Sequence, residues 1–91
     1  MSANYIQRAR EILSKKIDVE PDLLDLYTLL VFTKGVDVEL IDIHDAWAVW
    51  RTKTSPDHKS AIPFAHLSPE VQELDRPYME AVAQTARELD L

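Results

Sequence analysis

Apolar residues recur along the chain at spacings of three and four with polar positions between them, and this rhythm predicts helices. Tyr5, Ile6, Ala9, Ile12, Leu13 and Ile17 form one stripe, with Arg8, Glu11 and Lys15 on the other side. The stripe predicts a first helix over 3–16, started by Ser2 as its cap. From Leu23 to Phe32 the pattern loses its polar side, because Leu23, Leu24, Leu26, Tyr27, Leu29, Leu30, Val31 and Phe32 leave apolar groups all round. A helix of that kind has neighbours on several sides. The second helix, predicted over 21–34, is therefore the expected centre of the fold, with Leu30 in the core. Pro21 suits its first turn, and Lys34 followed by Gly35 gives a stop signal.

A third helix is predicted over 38–53, capped by Asp37, with Leu40, Ile43, Trp47 and Trp50 on one face. Thr54–Ser55–Pro56–Asp57 is a turn signal. Residues 54–67 show no period, yet Ile62, Phe64 and Leu67 are large and apolar, so an ordered loop packed on the third helix is expected. Ser68–Pro69–Glu70 is a cap followed by a first-turn proline and starts a short helix over 69–74. Pro77 inside a continuing helix would cost about 3 kcal/mol. The period is therefore expected to restart as a last helix over 76–89, capped by Asp75 and carrying Tyr78, Val82 and Leu89. The predicted fold is a single all-α domain over 1–91, of four to five helices, with Trp47, Phe64, Ile62, Leu30 and Tyr78 in its core.

Composition narrows the class. An apolar share of 46% beside 29% charged residues is that of a folded globular chain. With no cysteine, disulfides and thiolate zinc sites are excluded. No apolar segment follows a basic start, as a signal peptide would require. The longest uncharged run of the apolar middle, Leu26–Thr33, falls far short of the ~20 residues of a spanning helix. A cytoplasmic protein without membrane contact is expected. The net charge of −6 is unevenly spread: Asp18, Glu20, Asp22, Asp25, Asp37, Glu39, Asp42 and Asp45 face only Lys34 within 18–45. Such a belt repels phosphate backbones, so neither DNA nor RNA is an expected partner. Arg8, Arg10, Lys15 and Lys16 of the first helix are expected to complement those acids within the fold.

Candidate chemistry is sparse. His44 and Asp45 are adjacent, so their side chains leave a helix about 100° apart and do not pair with each other. His44 is expected to hydrogen-bond a loop carbonyl; contact with a ligand is the sharper alternative. His44, His58 and His66 fit no metal-binding spacing, and a single glycine excludes phosphate-cradling glycine motifs. No catalytic residue, cofactor, metal or enzymatic activity is therefore expected. Trp47 and Trp50 are neighbours at a spacing of three. Trp50, beside Arg51 and near the helix end, is the one expected to meet a ligand or partner, with Arg51 and Lys59 as cations that hold a phosphate. Asp75–Arg76 reads as a helix cap with a salt-bridging neighbour; an Arg76 that clamps a ligand is the sharper alternative.

The segments IHDAWAVWR (43–51) and DHKSAIPFAHLSPEVQELDRPYMEAV (57–82) resemble the ryanodine-receptor repeat domain. The likeness lies in His44, Asp45 and Trp47, in Lys59, in Ile62–Pro63–Phe64, in Leu67–Ser68–Pro69–Glu70 and in Asp75–Arg76, and it covers about residues 40–90. Two features depart from that family: the loop Arg51–Lys59 is shorter and lacks glycine, and Ser60–Ala61 stands where the family has His-Pro. The whole chain is also similar to short actinobacterial and actinophage proteins with an "HDAW…PF…L" layout. The resemblance implies a helical domain and a nucleotide-derived ligand, and because these repeats occur in tandem it leaves the oligomeric state open between a lone copy and a homodimer. Two functions are thus expected. One is a non-enzymatic module that docks on a protein through an apolar-aromatic patch, on a host protein if the chain is phage-encoded. The alternative is a domain that binds or sequesters a nucleotide-derived ligand around Trp50, Arg51, Lys59, Arg76 and His44.

Overall fold

The structure is a computed structural model and describes residues 4–91. It is all-α: α1 (Tyr5–Ser14), α2 (Pro21–Thr33), α3 (Leu40–Arg51), α4 (Pro69–Glu73) and α5 (Arg76–Glu88), with 3₁₀ turns at Gly35–Asp37 and Phe64–His66. Ser2 lies outside the described residues. The observed cap of α1 is Asn4, whose Oδ1 accepts from the Gln7 amide at 2.8 Å while Gln7 Oε1 accepts from the Asn4 amide at 3.1 Å. This reciprocal pair satisfies two donors that a helix start leaves free.

α2 packs against α1, α3 and α5, which makes it the central helix. It buries Leu23, Leu24, Tyr27, Thr28 and Val31, and Thr28 returns its hydroxyl to the Leu24 carbonyl at 2.8 Å. Burial on every side does not follow, however. Leu29 is 56% exposed, and Leu26, Leu30 and Phe32 are half-buried, so Leu30 flanks the core and does not lie inside it. Three helices cover only part of a fourth, and the strip of α2 at Leu29 stays open. Gly35 ends α2 at φ +58°, and a Cβ there would meet Ala86 Cβ at an unremarkable 3.9 Å. Glycine is needed at this position for its backbone angle, not for space.

Asp37 does not cap α3, because residues 35–37 close as a 3₁₀ turn. The cap is Glu39, whose amide donates to Asp42 Oδ2 at 2.8 Å. α3 buries Ile43 and His44, with Leu40, Trp47 and Trp50 half-buried. Ser68 caps α4 by accepting from the Val71 amide at 3.3 Å. α5 starts at Arg76 with Pro77 in its first turn, where the missing N–H removes no bond. Asp75 occupies the cap position but makes no capping bond with its side chain, so the capping role expected of it is not performed. The backbone alone turns here, the Asp75 carbonyl accepting from Tyr78 and Met79 at 3.1 and 3.0 Å. α5 closes with Asp90 at φ 59° and the Leu91 amide returning to the Ala86 carbonyl at 2.9 Å.

The core runs from Ala9 and Leu13 through Tyr27, Val31 and Ile43 to Ala81, Val82 and Ala86. Trp47 and Tyr78 pack against it half-buried. The basic α1 does complement its neighbours: Arg10 meets Asp25 at 2.6 Å, and Lys16 meets Glu88 of α5 at 2.7 Å.

Candidate functional site

α3 is a wall between two surfaces. At helical spacing His44 and Trp47 point to one flank, while Asp42, Asp45, Ala46 and Val49 point to the other.

On the first flank, His44 is 3% exposed and its Nε2 lies 2.7 Å from the Ile62 carbonyl, the loop-fixing bond expected of this residue. A carbonyl only accepts, so Nε2 carries the proton. The loop is pinned by this backbone group and not by the Ile62 side chain, which is 40% exposed; placing Ile62 in the core is therefore wrong. Phe64 is half-buried and stays outside the main core, its ring 6.1 Å from that of His44, and the Trp47 ring lies 5.7 Å from the same imidazole. His44 thus links the two aromatics. Gln72 Nε2 fastens the Phe64–His66 turn to α4 by donating to the carbonyls of Phe64 and Leu67 at 3.0 and 3.3 Å.

Beneath the loop lies a hollow of about 240 Å³ whose polar wall is His44, Trp47, His58, Ser60 and Asp75. Leu67, Val71 and Leu74 form the apolar wall. His58 sets its ring edge-on to Trp47 at 5.1 Å, and its Nδ1 accepts from the Ser60 amide at 3.0 Å. Burial raises the Asp75 carboxyl above its ordinary value, and the charge of His44 opposes the rise. Burial, then the charge of Asp75, pushes the Tyr27 phenol up as well.

The residues expected to bind a ligand are not gathered in one place. His44 alone of the five lines the loop hollow. Trp50 lines a separate open hollow with Asp18, Val19, Glu20, Pro21 and Leu23, which none of the expected cations shares. The Arg51 guanidinium lies 5.8 Å over the Trp50 ring. Arg76 is held by Glu73 through bonds of 2.6 and 2.9 Å, and Lys59 is exposed on the loop. Asp75 and His58 went unrecognised as site residues, because only the fold brings residue 75 to residue 44.

The second flank is open and apolar. Leu29 is the shared ridge of two grooves. One groove, between α1 and α2, is lined by Tyr5, Ile6, Thr28 and Phe32, with the Tyr5 and Phe32 rings edge-to-face at 5.3 Å. The other, between α2 and α3, is lined by Leu26, Leu30, Ala46 and Val49. Asp25 edges the first groove, and Asp42 and Asp45 edge the second. Tyr5 is 71% exposed and Val49 58%.

Among the described residues no group of three or more His, Cys, Asp or Glu stands close enough to hold a metal ion. No described helix is long and apolar enough to cross a membrane. The fold and its surfaces define a small all-α domain with a loop-covered hollow and an apolar face. Residues 3–87 match the family model described as a domain of unknown function, DUF7701, and the chain belongs to that family. No curated protein and no solved structure matches it.

Proposed function

We infer that this protein is a non-enzymatic docking module whose apolar face over α1, α2 and α3 receives a partner protein. The observation that carries this reading is the exposed run of Tyr5, Ile6, Leu29 and Val49 on one side of the molecule. Scattered single apolar residues need no explanation, but a contiguous set with a polar edge is the usual form of an interaction surface. Two grooves that share Leu29 as their ridge suit an amphipathic helix laid along the face, anchored at steps of three and four. The edge selects the partner's chemistry. Of the carboxylates that bound the grooves, Asp25 pairs with Arg10 and Asp42 with Lys34, while Asp45 stands in none of the ion pairs of the described residues. The fitting segment is therefore apolar on one side and carries Lys or Arg on the margin that meets α3.

The test compares wild-type and Leu29→Glu baits in lysate from the source organism. Leu29 is more than half exposed, so the variant is expected to fold, which circular dichroism of the bait checks. The expected result is a protein recovered by wild type, lost with Leu29→Glu, and captured less at high salt. Equal recovery by both baits overturns the reading. So does a dimer that wild type forms at neutral pH and low salt and that Leu29→Glu dissociates, because the face would then be covered by a second copy under the conditions of the test.

A further inference from the structure

We propose that the hollow beneath the loop is a binding site for a small organic cation with a flat ring body, the Asp75 carboxylate taking the protonated nitrogen and the Trp47 indole the ring. This site lies on the opposite flank of α3 from the docking face and does not depend on it.

Its charge decides the ligand's charge. Asp75 lines the hollow without making a capping bond, and it belongs to none of the ion pairs of the described residues. A neutral apolar ligand that covered this carboxylate would leave it desolvated and unpaired, which is costly. An anion would meet it as a like charge. A cation returns what desolvation removes, and it gains further from an aromatic face. The imidazoles are already engaged: His44 through Nε2 on Ile62, and His58 through Nδ1 on Ser60. Asp75 is therefore the one ionisable side chain of the hollow that makes no side-chain hydrogen bond or ion pair among the described residues, with the His44 ring as its nearest charged influence.

Volume decides the ligand's size. The hollow of about 240 Å³ exceeds the ~150 Å³ cavity that takes one benzene, and it falls below the ~300 Å³ at which drug-sized sites begin. One ring with a short cationic arm, or two fused rings, fits; a whole nucleotide does not. Leu67 and Val71 supply the apolar surface such a ring requires.

The probe is benzamidine, a planar cation, titrated into ¹⁵N-labelled full-length protein at pH 8, with benzoate and benzyl alcohol as anionic and neutral partners of the same ring. The expected result is a saturable shift of the Trp47 indole resonance with benzamidine alone. Asp75→Asn should weaken that binding at least tenfold while the rest of the spectrum stays in place. Val71→Trp, which fills the hollow and leaves its charge untouched, should abolish it. The proposal is overturned if benzoate binds as well as benzamidine, if Asp75→Asn binds benzamidine as tightly as wild type, or if no probe gives a saturable shift.

Discussion

Asp75 shows how a single side chain divides between stability and function. Burial raises its carboxyl, so the folded chain holds that proton more tightly than the unfolded chain does. For an acid shifted in this direction, stability falls as pH climbs from the ordinary carboxylate value through the folded one, and acid returns it. We therefore expect Asp75→Asn to melt above wild type at pH 7, with the gap closing below about pH 4, where Asp75 is protonated in both states. Calorimetry over that range checks it; a variant that melts lower at pH 7 would show the carboxylate to be structurally satisfied. His44 works in the opposite sense. Its bond to Ile62 is the loop's tie, and His44→Ala should cost about 1–3 kcal/mol, read by urea unfolding, with faster amide exchange across residues 54–63. The tie was legible in the sequence, since a histidine on the apolar face of a helix beside a loop usually finds a carbonyl. The proximity of Asp75 was not, because no local pattern encodes a contact between residues so far apart in the chain.

At the scale of elements, the helices were legible wherever apolar period and stop signals agreed. Pro21, Gly35, Ser68–Pro69 and Pro77 mark boundaries that the structure keeps within a residue or two. The misjudged caps share a cause. Asp37 and Asp75 are residue types that suit a cap, but the backbone at 35–37 closes as a 3₁₀ turn and at 75 adopts a helical angle, so neither side chain reaches the free amides. The burial of α2 was overestimated for a related reason. An all-round apolar helix implies neighbours, and sequence alone does not say whether those neighbours lie within the chain. Gly35 carries the element-level prediction. With φ at +58° and ordinary space for a Cβ, Gly35→Ala should lose roughly 1–2 kcal/mol from backbone strain. Denaturant midpoints check it; no loss would mean that the α2–α3 connection relaxes out of the left-handed region.

At the scale of the whole molecule, two opposing features share one small surface: an apolar face that favours association and a net charge of −6 that resists it. Charge repulsion acts at long range and apolar contact at short range, so lowering the charge should expose the tendency of the face to associate. The sequence pI is about 4.9. Near that pH the repulsion vanishes while the face keeps its area, and association becomes favourable. Light scattering should therefore show a wild-type protein of constant size at neutral pH that grows as pH approaches 5. Added salt at neutral pH should move it the same way by shortening the reach of the charges. Leu29→Glu places a carboxylate on the ridge between the two grooves and should suppress both effects. Asp75→Asn removes one charge from the far flank of α3 and should leave the tendency almost unchanged. If both variants associate alike, the driving contact lies elsewhere, and the face over α1, α2 and α3 loses its claim as the surface where partners meet this protein.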